Sequence, residues 1–428
     1  RVAQITRQSE PILAYQKRLA AADLSASSAF AAFDTGLEQI VGSIDTLGSI
    51  AAKLTRMETA LMSASTDPAS ETRLRDVSFA AEGFASALRE ASDGLVTLRT
   101  RADQQIVTAV DQLNSGLSQL EKLNTQIMTA KHHGQDAHGL MDQRDTILDT
   151  LSNYVPLHVV ERDSGVIAVF SAQGRTLLDQ NAVRFSFDPA PTVLPHMNVS
   201  NGLLSRLKIN GQEIDIPGSG MMQGGALAAQ FELRDTIAPQ AQARLDGIAR
   251  DAIERFGPGG ADPTLGPGDA GVFTDSGLAF AAGNETGIAS RITLNTVLGG
   301  TNAEPWRWRD GINALVPGSV GQSDLLLGLH AQILETRPAG SLALGAGGKS
   351  LVGHLQAFGS DAAANRVRSV DARDFASSHF DSVRQSVAAG GVNTDQELQN
   401  LIELEKSYAA NARVVQVVDD MLSELLRI

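Results

Sequence analysis

Residues 390–428 decide the fold, and they read GGVNTDQELQNLIELEKSYAANARVVQVVDDMLSELLRI. After two glycines, this stretch runs to the end of the sequence without another Gly or Pro. Its apolar residues recur at alternating steps of three and four, which predicts one long helix with a coiled-coil seam. We expect subunit packing through that seam, whose positions are Leu401, Leu404, Tyr408, Asn411, Val415, Val418, Leu422 and Leu425.

One position of the seam is polar. Asn411 there would lower the stability of the helix pairing while fixing its register and the number of partners. At about 1.5 Å per residue the helix would be on the order of 50 Å long, and it cannot bury its stripe against itself. The partner helix comes from the same chain or from another copy. The spacing is equally typical of a terminal helix packed on its own globular domain.

Composition bounds the class of protein. A chain of 428 residues has room for about two to four domains. With 43% hydrophobic but only 4% aromatic residues, aliphatic cores and helix bundles are favoured over large ligand pockets. The net charge of -14 argues against nucleic acid and anionic membrane surfaces as partners. The absence of cysteine excludes disulfides and thiolate sites, and no apolar run is long enough to span a membrane.

The first part of the chain, residues 1–155, is predicted to form a helical rod domain. A helical pattern runs from about Glu10 to Leu61 and includes Ile44 and Leu47, and the segment Thr66–Pro68 ends it with a turn. A second helix begins near Ser70. It carries a further seam that also contains one Asn: Ile106, Val110, Leu113, Leu117, Leu120, Asn124 and Ile127. A shorter helix, 139–154, completes this domain. Because the sequence begins at Arg1 rather than Met, we expect its natural N-terminus to lie further upstream.

Residues 156–222 change to a period of two, which predicts a small inserted β domain. Strands 157–160 and 166–170 flank a hairpin turn, and residues 184–187 form another strand. Asn210-Gly211 separates two further strands and is typical of a type I′ hairpin turn.

The rest of the chain returns to helix. Residues 223–256 are a helical return segment interrupted by Pro239, and 257–350 are a Gly/Pro-rich region of loops with helices predicted at 289–298 and 324–334. Residues 351–390 complete the rod, and 391–428 form the terminal polymerisation helix.

The predicted fold class is α+β and multidomain. It comprises an elongated antiparallel helical bundle built from both chain ends, a small inserted β domain and a long C-terminal coiled-coil helix. The first and last helical blocks should lie side by side.

Several groups of polar residues could suggest a metal site, but their spacing does not fit one. His132, His133 and His138, near Asp136 and Asp142, lie on a Gly-punctuated turn typical of solvated surface. Asp262, Asp269 and Asp275 lack the spacing of a calcium loop. The sequence therefore predicts no catalytic residues, no cofactor and no metal. We expect Trp306 and Trp308 to be packing anchors.

The terminal stretch also resembles the C-terminal motif of flagellar axial proteins, in the form found in the hook-associated protein 1 family. The matching positions are Gly391-Val392-Asn393, Asp395, Glu397, Asn400-Leu401, Tyr408 and Ala410-Asn411-Ala412. Two internal stretches are similar to the same family. They are GLMDQRDTILDTLSNYV at 139–155 and GGALAAQFELRDTIAPQAQARLDGIA at 224–249. The family's N-terminal helix, with its Asn-rich turn, has no counterpart after Arg1, and residues 257–350 have no clear one.

The resemblance implies a non-enzymatic structural protein of the bacterial flagellum that joins hook to filament and is required for filament assembly and motility. It implies export unfolded through the flagellar type III channel and an extracellular location. The implied partners are a ring of identical subunits, the hook protein, the next hook-associated protein on the filament side, and an export chaperone bound to the C-terminal helix. Two alternatives stay open. One is another axial protein, such as hook-associated protein 3 or a flagellin. The other is a secreted enzyme or adhesin that uses the β domain for binding.

Overall fold

The computed structural model describes residues 11–42, 48–216, 220 and 222–389, together with 402–403, 405–414 and 416–417 of the terminal helix. The first helices are α1 (Pro11–Val41) and α2 (Ile50–Thr66), so the prediction of one helical run to Leu61 is wrong. Gly42 follows α1 with a φ of 74°, a conformation that ends a right-handed helix. Ser49 then starts α2 by accepting a hydrogen bond from the backbone N–H of Ala52 at 3.1 Å. Ile44 and Leu47 lie outside the described residues.

Helix α3 (Glu71–His132) is the axis of the molecule. It runs for 62 residues, or about 90 Å at 1.5 Å per residue. The Ser70 side chain caps its start, and Lys131 and His132 occupy its last turn, where basic groups favour the helix dipole. Every position of the seam predicted between residues 106 and 127 is buried. A shorter helix, α4 (His138–Ser152), packs back against α3.

Two small antiparallel sheets cover the C-terminal half of α3. The first has the order β1 (Leu157–Glu161), β2 (Ile167–Ser171) and β3 (Thr176–Leu178), with a short 3₁₀ turn at 163–165 between β1 and β2. The second has the order β4 (Phe185–Ser186), β5 (Leu207–Ile209) and β6 (Gln212–Ile214). Both predicted hairpins are confirmed. Asn210 and Gly211 have φ angles of 51° and 81°, as a type I′ turn requires.

The α3 seam is covered by both small sheets together with α4 and the helix at 225–232. Leu113 and Leu117 share one hydrophobic core with residues of both sheets. The polar seam position Asn124 donates to the carbonyl of Ile167 at 2.8 Å and accepts from the N–H of the same residue at 3.1 Å. The side-chain amide of Asn124 therefore bonds to the main chain of β2, although its place in the seam pattern would suggest a role in pairing with another helix.

The chain then returns as one helical path. It comprises α5 (Gly225–Glu232), a π-helical turn (Leu233–Ile237) and α6 (Ala238–Arg255). The interruption predicted at Pro239 is present, but it widens the helix rather than breaking it. Proline lacks the N–H that would bond the preceding turn, and a π turn absorbs this locally.

Residues 256–350 pack around the N-terminal part of α3. They form β7 (Phe273–Asp275), α7 (Ile288–Arg291), β8 (Ile292–Leu294), α8 (Arg307–Asp310) and α9 (Asp324–Leu334), with 3₁₀ turns at 282–284 and 342–344. The helix predicted at 289–298 is confirmed only for residues 289–291, because residues 292–294 pair antiparallel with β7. Ile292 and Thr293 are β-branched and suit a strand once that partner is available. The helix predicted at 324–334 is confirmed.

The last described long helix, α10 (Leu351–Ala389), lies antiparallel against α1. Arg366 pairs with Glu38 at 2.6 Å near one end of the contact, and Asp23 faces His379 nearer the other. The two ends of the rod, α1 and α10, thus lie side by side, and the packing of the last helix, 391–428, against the first stays a prediction. The fold is thus mainly helical with small antiparallel sheets. Within the described part of the chain, none of the helices combines the length and apolar character that crossing a membrane requires.

Candidate subunit-packing surface

The predicted packing seam lies on the terminal helix. Among its positions, Tyr408 and Asn411 are described, and both are helical and exposed, Tyr408 by 74% of its surface. The remaining predicted positions lie outside the described residues: Leu401, Leu404, Val415, Val418, Leu422 and Leu425. The role of this seam in subunit packing stays a prediction.

Apolar residues also occupy other sides of the terminal helix. Ile402, Val414 and Val417 are exposed in addition to Tyr408. At 3.6 residues per turn, positions six apart lie about 120° apart around the axis, so Ile402, Tyr408 and Val414 face three directions. Exposed apolar side chains on several sides of one helix are typical of contacts with more than one neighbour. The seam template follows one stripe only, and for that reason it did not single out Ile402, Val414 and Val417.

Helix α10 changes character along its length. Its start contributes Leu351, Leu355 and Phe358 to the main core, but after Ala362 only Ala376 is buried. Phe375 is 76% exposed, and Val367 is exposed two turns before it. The second half of α10 is therefore covered on the α1 side and open on the other.

The first half of α1 contacts its neighbours mainly through small and charged residues, whereas Phe33, Leu37 and Val41 in its second half join the main core. Several of the buried positions of α1 are alanines, among them Ala20 and Ala22. Lys17 and Arg18 reach Asp149 of α4 at 2.6 and 3.0 Å. Burial raises the pKa of the Asp23 carboxyl, an effect that His379 opposes. Such a contact buries little apolar surface, so we expect it to be weaker than the core around α3.

The residues considered for metal chemistry form structural hydrogen bonds. Asp262 accepts from the N–H of Thr264 at 2.9 Å and of Ile312 at 2.8 Å, and Asp275 pairs with Arg291 at 2.7 Å. Asp269 accepts from the N–H of Gly266 at 2.7 Å. Asp136 accepts from the N–H of His138 at 2.8 Å, which fixes the turn before α4. In the described ranges, no group of three or more His, Cys, Asp or Glu side chains could hold a metal ion.

Trp308 is a packing anchor, as predicted. It is almost fully buried, and its indole N–H donates to Ser78 Oγ at 2.8 Å. Trp306 is half-buried, and the Arg307 guanidinium lies 4.7 Å from the centre of its ring.

Two buried arginines of the rod form ion pairs within the fold. Arg234 bonds Asp103 at 2.8 Å and joins the π turn to α3. Arg255 bonds Asp251 at 2.6 Å and also donates to the carbonyls of Glu335 and Lys349, joining α6 to the end of α9 and the start of α10. Because these ion pairs are also hydrogen-bonded, they help hold the helices that they connect in place.

A long helical axis with small sheets packed on it, together with an exposed terminal helix, is the architecture of a rod-like structural protein. Residues 35–257, more than half of the chain, match the family described as "Flagellar hook-associated protein FlgK helical domain". The chain belongs to this flagellar hook-associated protein family. Residues 384–428 match a second family, "Flagellar basal body rod FlgEFG protein C-terminal", which covers the terminal helix.

Individual relatives carry the same name. The chain is 25% identical to "Flagellar hook-associated protein 1" of Bacillus subtilis over 368 residues, covering 78% of this chain and 67% of the relative. It is 26% identical to the Salmonella typhimurium protein of that name over 217 residues, covering 49% of this chain and 36% of the relative. The solved structure of "the flagellar hook junction protein FlgK from Burkholderia pseudomallei" is 24% identical, with a TM-score of 0.49, and covers 61% of this chain and 46% of that one.

Proposed function

We propose that this chain is a structural component of the junction between flagellar hook and filament, with the terminal helix as its polymerisation surface. The observation that carries the proposal is the exposure of Ile402, Tyr408 and Val414 on three sides of that helix. Exposed apolar residues in this arrangement favour burial between neighbouring molecules. Membership in the hook-associated family supports the location in the flagellum.

The proposed partners follow from the same surface. A helix with apolar residues facing three directions needs more than one neighbour. We assign these neighbours to identical subunits in a ring, to the hook protein and to the next hook-associated protein on the filament side. Before assembly the same residues need another cover or stay exposed. An export chaperone bound to the terminal helix supplies that cover on the way out of the cell.

The relatives favour this function over the alternatives. Both curated relatives described above are named hook-associated protein 1, rather than hook-associated protein 3 or flagellin. A separate binding module made of the β strands is also disfavoured. Both sheets bury apolar residues against α3, so they form part of the rod.

The direct test removes residues 391–428 from the full-length protein in motile cells. We expect hooks without filaments, flagellin shed into the medium and loss of swimming. The control is Ser382→Ala on the exposed surface of α10, which should leave swimming unchanged. Immunoblots of the medium establish that the shortened protein is exported. If export itself fails, Tyr408→Asp in the intact chain replaces the deletion. Normal filaments on cells that carry either variant would contradict the proposal.

A further inference from the structure

An apolar groove lies beside the N-terminal part of α3. One wall is α3 at Phe79, and the other is the loop after β8, with Leu298 and Pro305. The groove has a volume of about 630 Å³, within the range of about 300–1,000 Å³ that is usual for binding clefts. Phe79 is 72% exposed, although aromatic side chains are among the most strongly driven to burial.

The charges at the rim of this groove are already paired within the chain. Arg75 bonds Glu71 at 2.7 Å, and Glu82 bonds Arg89 at 2.7 Å. The part of the groove that lacks a partner is its apolar surface. An occupant with apolar side chains therefore fits it better than a charged one.

The same region carries an exposed apolar loop, which we call the knob: Leu315, Val316 and Val320. Leu315 is 95% exposed, and the other two are also largely exposed. The loop is anchored on both sides of its tip. The Arg307 guanidinium donates to the carbonyl of Ala314 at 2.9 Å, and the N–H of Gly318 donates to Asp310 at 3.0 Å. These bonds hold the apolar tip outward.

Knob and groove are fixed to one short helix, α8. Arg307 and Asp310 of this helix anchor the knob, as described above. Trp308 of the same helix donates to Ser78, and Ser78 Oγ donates to the carbonyl of Leu298 in the groove wall at 2.5 Å. None of the knob residues lines the groove. Within one molecule both surfaces are thus tied to the same helix, and the knob does not line the groove.

We infer that the knob of one copy of this chain fills the groove beside Phe79 of a neighbouring copy. The two surfaces complement each other, since one is an apolar projection and the other an apolar cleft whose rim charges are already paired. Because knob and groove are different patches, the contact is head-to-tail, the type that produces a ring when the rotation closes. The inference rests on the proposed self-assembly and adds a second, lateral contact far along the chain from the terminal helix.

The absence of cysteine from the sequence makes a direct test possible. Leu315→Cys in the knob and Thr301→Cys in the groove wall are introduced together into the full-length protein. Hook–filament complexes from cells making this variant are treated with a mild oxidant that converts two neighbouring thiols to a disulfide. We expect a ladder of dimers and larger covalent oligomers. Each single variant should stay monomeric, and cells making both single variants should yield dimers only.

The matched control replaces the groove cysteine with Leu278→Cys, which is exposed but lies outside the groove. This pair should give no ladder. A ladder of equal strength in the control, or dimers from Leu315→Cys alone, would overturn the inference. So would a protein that stays monomeric in complexes whose filaments are normal. A photoreactive residue at position 301 that joins a different flagellar protein would equally overturn it.

Failure of this contact is distinguishable from failure of the junction role. If deletion of residues 391–428 abolishes filaments but no ladder forms, the junction role stands and the lateral contact is wrong. If filaments survive the deletion while the purified full-length chain still forms the ladder at high concentration, the lateral contact stands without the junction role.

Discussion

Helices α3 and α10 show how differently one chain treats two long helices. Sheets, return helices and the outer region cover α3 along most of its length. Helix α10, with 39 residues, is covered by the core only near its start and then lies on α1 alone. Helix α3 buries apolar residues along most of its length, whereas α10 does so mainly near its start. The comparison separates residues that hold the molecule together from residues left for other molecules.

The largest expected effect distinguishes two phenylalanines. Phe84 on α3 is fully buried, with its ring 5.7 Å from that of Phe273, whereas Phe375 on α10 is exposed. Phe84→Ala should lower the free energy of unfolding by about 3–5 kcal/mol, because it leaves a cavity. Phe375→Ala should change it by less than about 0.5 kcal/mol, as for most surface substitutions. Denaturant unfolding measures both, and similar losses would show that α10 is covered in the isolated chain.

The two seam asparagines sharpen the same comparison. Asn124→Ala removes both bonds to the main chain of Ile167 and leaves its buried N–H and carbonyl unsatisfied, at a cost of about 1–3 kcal/mol. Asn411→Ala alters an exposed position of the terminal helix and should leave the unfolding of the monomer unchanged. Its effect should appear in assembly, because a polar seam residue sets register. Loss of monomer stability in Asn411→Ala would contradict this division.

The next prediction concerns the buried carboxyl of Asp246 and the way it makes the free energy of unfolding depend on pH. Burial raises the pKa of Asp246 in α6 to about 6, although the N–H groups of Ala289 and Gly287 and the side chain of Gln242 favour the charged form. The folded state then holds the proton to higher pH than the unfolded state, whose pKa is near 3.8. The resulting stabilisation is complete below pH 3.8 and is lost as pH rises through about 6.

The expected result is that wild type loses stability relative to Asp246→Asn as pH rises from 4 to 7, by about 1–3 kcal/mol. The quantity to compare is the change in the free energy of unfolding with pH. The absolute difference is less informative, because Asp246→Asn also costs a hydrogen bond at every pH. Asp23→Asn on α1 is the matched control. The pKa of Asp23 is raised in the same direction by burial, but the group is more exposed and should give a shallower slope. Parallel profiles for wild type and Asp246→Asn would refute the assignment.

Local signals in the sequence predicted much of this fold. The turn at Thr66–Pro68, the Asn210-Gly211 hairpin and the helix at 324–334 depend on residues close in sequence, and all are present. The strand at 292–294 was missed because its partner, β7, lies some twenty residues away and leaves no local mark. The α3 seam likewise predicted burial correctly, but the period of a helix does not say whether a helix or a sheet covers it.

The packing surface was predictable only in part for a similar reason. The terminal motif identified the helix and Tyr408, whereas the apolar residues facing other directions become informative only once their exposure is known. The knob residues Leu315 and Val316 carry no pattern at all, because an exposed loop has no period that distinguishes it from a buried one.

The most direct test of the central claim substitutes the three faces of the terminal helix one at a time in the full-length protein. Ile402→Asp, Tyr408→Asp and Val414→Asp are compared with Glu403→Gln, an exposed polar position on the same helix. The measurement is filament number per hook by electron microscopy. The account predicts hooks without filaments for each of the three aspartate variants and normal filaments for Glu403→Gln. Normal filaments in any two of the aspartate variants would contradict a helix buried on several sides.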